Sequence, residues 1–131
     1  MKKIIVLTAI CLMVSATMFA APRGKWLNND EYQIKIALTN KANQSAARNA
    51  GINDAARQIT DDFSEIIVKA SKGKIAKPAA RKIITDKYFQ IIKAGTVSNE
   101  KYEPKRGTYL MIYTIKSSDL KGSLEKEAQG Q

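Results

Sequence analysis

Hydrophobic and polar positions along the chain change period several times, and each change marks an element. From Tyr32 to Thr39 they alternate, with Tyr32, Ile34, Ile36 and Leu38 on one side and Gln33, Lys35, Ala37 and Thr39 on the other. Period two predicts a half-buried strand. Between Asn43 and Ala70 the spacing shifts to three and four, through Ala47, Gly51, Ala55, Ile59, Phe63 and Ile67, with Ile66 and Ala70 alongside. This is one apolar stripe on a long helix. Its other face carries Arg48, Asn49, Asn53, Arg57, Asp61, Asp62, Glu65 and Lys69, with Arg57–Asp61 and Glu65–Lys69 at the i, i+4 spacing of surface ion pairs. Gly51 within it signals either close packing or a break.

A basic loop, Ser71 to Lys77, leads to Pro78, which suits the first turn of a helix because its missing N–H is not needed there. Ala80, Ile84, Tyr88 and Ile91, flanked by Ile83 and Ile92, form the second stripe, with Gly95 as the expected stop. Thr96–Tyr102 reads as a weak strand and Thr108–Ile115 as a strong one, joined by Glu103–Gly107 as a hairpin loop. In the last strand Tyr109, Met111, Tyr113 and Ile115 face one way and Leu110, Ile112 and Thr114 the other, which predicts a central position. Ser117 or Ser118 is the expected cap of a short helix from Asp119 to about Ala128, with residues 129–131 as a frayed tail.

The order strand, helix, helix, strand, strand, short helix predicts an α+β fold: two amphipathic helices on a three-stranded antiparallel sheet, a single domain over residues 31–128. Two helices cover one side of such a sheet. Leu110, Ile112 and Ala37 on the other side then need cover, either from a second subunit or from the arm at 21–30, which holds Trp26, together with the last helix. These three are the candidate protein interface.

Residues 1–20 have the layout of a secretory signal: Lys2 and Lys3, an apolar run from Ile4 to Val14, then small residues to Ala20. The apolar run is shorter than the ~20 residues that span a bilayer. The lone Cys11 lies inside it after Ile10, so lipidation is not expected. The part after the signal holds no cysteine, and its fold must rest on its core. No transmembrane span is expected there.

Charge narrows the partners. The formal charge is +10, and setting aside Lys2 and Lys3 leaves 20 basic against 12 acidic side chains. The excess serves either solubility or attraction to anionic lipid, glycan or acidic protein. Lys69, Lys72, Lys74, Lys77, Arg81 and Lys82 follow one another with no acidic residue between, leading into a helix N-terminus that favours anions. They are the candidate anion-contacting set, set against the plainer reading of a solvated lysine loop. Nucleic acid is not the expected partner, because the run lacks interleaved aromatic residues and export removes the chain from cellular nucleic acid.

Candidate chemistry is sparse. The chain has no histidine, which removes the usual general base and zinc ligand. Asp61, Asp62, Glu65 and Asp86 are the only acids on the two helices that sequence reasoning singles out, and they read as solvated. Lys72-Gly73-Lys74 lacks the spacing of a phosphate loop. No catalytic residue, metal ligand or cofactor is expected, and the chain reads as a non-enzyme.

The Trp26 lead-in, the strand Tyr32–Thr39, the segment Ala46-Ala47-Arg48 through Asp54-Ala55-Ala56-Arg57-Gln58-Ile59, and the start Gly107-Thr108-Tyr109 of the last strand together resemble the family of the Helicobacter 20-kDa outer-membrane lipoprotein, related to the N-terminal domain of the flagellar T-ring protein. The resemblance spans most of residues 26–120 and implies an exported α+β envelope or flagellum-associated protein without catalytic residues. The chain departs from that family in lacking a lipobox, which implies a periplasmic or surface-associated form without a lipid. The expected function is binding of another envelope or flagellum-associated component, possession of a second copy as partner included; the alternative is a periplasmic carrier or sensor of an anionic small ligand or glycolipid.

Overall fold

The computed structural model describes residues 24–129; the expected signal segment at 1–20, the first residues of the expected arm and the last two residues lie outside them. The elements are β1 (Lys25–Trp26), β2 (Glu31–Leu38), α1 (Gln44–Ala70), α2 (Lys77–Lys93), β3 (Thr96–Glu103), β4 (Thr108–Lys116) and α3 (Leu120–Gln129). The α+β class and the element order follow the sequence pattern. The sheet, however, has four antiparallel strands in the order β1-β2-β4-β3, where three were expected. The extra strand is two residues long, Lys25 opposite Gln33 and Trp26 opposite Tyr32. Two residues show no alternation, so periodicity is blind to it. Side-chain stacking holds it instead: the Trp26 ring lies flat on Phe63 at 5.7 Å and meets the edge of Tyr32 at 4.8 Å.

The strong strand is central, as expected, with β4 paired to β2 along Glu31–Leu38 and to β3 on its other side. Tyr32, Ile34, Ile36, Tyr109, Met111, Tyr113 and Ile115 fill the inner face and are buried against α1. Asn43 caps α1 by accepting from the Ala46 N–H at 2.8 Å. Helix α1 is unbroken at Gly51 because the glycine serves close packing: a Cβ there would lie 3.1 Å from Met111 Cε and 3.2 Å from the Tyr109 ring. Helix α2 packs chiefly on α1 through Ala80, Ile84, Tyr88 and Ile92. Its end is set by Ala94, and Gly95 is not a left-handed stop. The glycine is needed because Tyr113 packs there, donating its hydroxyl to the Ile92 carbonyl at 2.7 Å while accepting from the Gly95 N–H at 3.0 Å. A Cβ at Gly95 would meet that ring at 2.5 Å.

Helix α3 lies on α1 and buries Leu120 and Leu124. Its start is held from the β1–β2 loop, not by a serine side chain: Asp30 Oδ1 accepts from the Asp119 N–H at 2.8 Å and the Asn29 carbonyl from the Lys121 N–H at 2.9 Å. The helix runs to Gln129, and residues 130–131 of the expected tail lie outside the described residues. No helix among the described residues is long and apolar enough to cross a membrane.

The surface pairs on α1 differ from the spacing rule. Arg57 pairs with Asp54, while Asp61 and Glu65 reach across to α2, Asp61 to Arg81 and Glu65 to Lys77 at 2.7 Å. A neighbouring helix offers cations that intrahelical spacing cannot foresee.

Candidate functional site

The outer face of the sheet is built by parity. Gln33, Lys35 and Ala37 of β2 point away from α1, as do Leu110, Ile112 and Thr114 of β4, because their neighbours point inward. Ala37 stands opposite Leu110 and Lys35 opposite Ile112, so the three residues expected at an interface form one contiguous patch. From β3, Lys101 stands opposite Leu110 and Ser98 opposite Ile112. Both expected covers go elsewhere: Trp26 stacks on the inner side against Phe63, and α3 packs on α1. Among the described residues nothing covers the patch, and Leu110 is 49% exposed. Lys35, Ala37, Asn99, Leu110 and Ile112 line a shallow depression of about 360 Å³ there.

A bulge shapes the β3 side of this face. Pairing shifts between Ser98 and Lys101, where Asn99 takes the left-handed φ of 50° that asparagine tolerates. The extra residue turns Glu100 inward, toward α1. There Arg48 donates Nε to Glu100 Oε2 at 2.6 Å and its NH2 group to Oε1 at 2.8 Å, and the Tyr109 hydroxyl donates to Oε2 at 2.6 Å. These bonds, the guanidinium's first, hold the Glu100 carboxyl down at about 2, while burial and then Glu100 push the Tyr109 phenol up to about 12.

The depressed carboxyl sets a pH dependence. The unfolded chain binds the Glu100 proton near pH ~4.3 and the folded one only near the lower value, so this contribution is complete above that range and is lost as the solution is acidified. Glu100→Gln is expected to cost about 1 kcal/mol at neutral pH and to flatten the loss of stability between about pH 5 and 2, read from urea unfolding at a series of pH values. Equal pH slopes in the two proteins would exclude this role.

The six candidate cations separate. Lys77 and Arg81 face α1 and are taken up by Glu65 and Asp61. Lys82 pairs with Asp86 at 3.1 Å. Lys69 is exposed in the last turn of α1. Lys72 and Lys74 stand on the turn between the helices and form no ion pair among the described residues. Ser71 fixes that turn: its buried hydroxyl donates to the Val68 carbonyl at 2.9 Å and accepts from the Ile75 N–H at 3.0 Å.

The sequence reading placed Asp62 on a solvated face, and there the structure differs. Asp62 is 4% exposed. Its Oδ2 accepts from the Tyr32 hydroxyl at 2.6 Å and from the Gly24 N–H at 3.1 Å. Burial first, then Asp62, raise the Tyr32 phenol far above its ordinary value. The clue in the sequence was position: Asp62 lies three residues after Ile59 and one before Phe63, on the edge of the apolar stripe.

Every tyrosine hydroxyl is engaged: Tyr32 with Asp62, Tyr88 with Glu127, Tyr109 with Glu100, and Tyr102 and Tyr113 with the carbonyls of Lys41 and Ile92. Burial and then Glu127 push the Tyr88 phenol up to about 12. Among the described residues no three side chains of the metal-ligating types converge on one point. The described residues thus present an apolar patch bordered by Lys35 and Lys101 and a basic turn between the helices. Compared with protein-family models, with curated proteins and with solved structures, the chain finds no match.

Proposed function

We propose that the chain is an exported, non-enzymatic envelope protein that docks another envelope or flagellum-associated protein through the outer face of its sheet. The observation that carries this reading is the apolar row Ala37, Leu110 and Ile112, left open by all the described helices and bordered by Lys35 and Lys101. The backbone of that face is already ordered by the sheet, so docking there costs side-chain freedom alone. The lysines select the partner. Two copies laid face to face would bring Lys35 and Lys101 against their own kind, whereas an acidic rim around an apolar centre would match them. The secretory layout of residues 1–20 and the resemblance to outer-membrane and flagellar proteins support the envelope as the place where that partner is met.

A photo-crosslinking residue at Ile112, used in cells, is expected to capture one defined envelope or flagellum-associated protein. Leu110→Thr should abolish the capture while leaving stability within about 0.5 kcal/mol, because the side chain is exposed and threonine suits a strand. Self-capture, or capture that survives Leu110→Thr, would overturn this reading.

A further inference from the structure

On the side of the molecule away from the sheet, α2 and the turn before it form a second surface. Ile75, Ala79 and Ile83 floor a groove of about 410 Å³ whose rim carries Lys74, Lys82 and Lys87, the last paired with Glu127 of α3 at 3.1 Å. Asp86, the acid in its lining, is held by Lys82. Phe89 is 51% exposed and lies three residues beyond Asp86 and seven beyond Lys82, on the same face of the helix. Residues 69–93 hold eight cations and one acid. The acids that reach this end from α1, Asp61 and Glu65, are occupied on its inner side by Arg81 and Lys77.

We infer that this face seats the protein on an anionic phospholipid surface, with Lys72 and Lys74 among the phosphates and Phe89 entering the headgroup boundary. Charge complementarity selects the occupant. Lys72 and Lys74 form no ion pair among the described residues, and the Ser71 bonds fix the turn that displays them. The apolar part favours lipid over an acidic protein. A protein interface centres on a packed apolar cluster. Here the apolar part is a thin strip, the groove floor Ile75, Ala79 and Ile83 and the protruding Phe89, set among lysines whose stems can lie along apolar surface while their heads stay in water, which is how a basic helix lies on a bilayer.

Partition of the purified protein onto vesicles of phosphatidylcholine alone, and of phosphatidylcholine mixed with phosphatidylglycerol, tests this by sedimentation. Binding is expected only to the mixed vesicles and should weaken with salt. The double change Lys72→Gln and Lys74→Gln should weaken it about thirtyfold, and Phe89→Ala about fivefold. All three side chains are exposed, so folding is retained. The double change Lys105→Gln and Arg106→Gln, on the hairpin at the opposite end of α1, removes the same charge and should alter binding by less than about twofold. Equal losses from the two double changes would reduce the effect to net charge and overturn the inference. So would equal binding to both vesicle types, or capture of a polyglutamate peptide by the turn without partition to either vesicle.

Discussion

Phe63→Ala is expected to lower the unfolding free energy by about 4 kcal/mol, the loss found when a fully buried aromatic ring is cut back and its site cannot close. Phe63 has no exposed surface and joins three elements. It projects from α1, stacks on Trp26 of β1 with the rings 4° from parallel, and meets Tyr32 of β2 edge-on at 5.1 Å. Against a total of about 5–15 kcal/mol for a small domain, the loss lowers the melting temperature by about 20 °C. Truncation also removes the platform under Trp26, the only tryptophan in the chain. Its fluorescence should shift to the red in the folded variant, before the main unfolding transition. A loss below about 2 kcal/mol, or unchanged tryptophan emission, would show that the neighbours collapse into the space.

How much of this was legible in the sequence follows from what periodicity can register. Long elements with one buried face announced themselves: the inward set Tyr109, Met111, Tyr113 and Ile115 and the stripe Ala47, Ala55, Ile59, Phe63 and Ile67 are all buried. The patch Ala37, Leu110 and Ile112 was legible for the same reason, since parity on two strands fixes which residues share a face. Contacts made across the chain were not. Strand β1 is too short to alternate and depends on Phe63, a residue thirty-seven positions after Trp26. The basic run looked continuous, yet Lys77 and Arg81 turn inward to α1 acids while Lys72 and Lys74 do not. Helical phase separates them only once the packing of α2 on α1 is known.

Asp62 is the clearest instance, and its substitution carries the second large effect. Asp62→Leu is expected to cost about 3 kcal/mol, because the buried Tyr32 hydroxyl and the Gly24 N–H lose the oxygen they share. Asp62→Asn keeps an acceptor of the same shape and should cost about 1 kcal/mol. Adding Tyr32→Phe to Asp62→Leu removes the stranded hydroxyl, so the double variant should be less unstable than the sum of the singles, a coupling that urea unfolding of all four proteins measures. Additive losses would mean that the 2.6 Å contact contributes nothing of its own. The sign of the leucine result also bears on function. A buried carboxylate kept for catalysis is commonly held at a cost to stability, and removing it leaves a protein as stable or more so. A loss of the expected size instead places Asp62 among the groups that clasp Gly24 and Tyr32 onto α1.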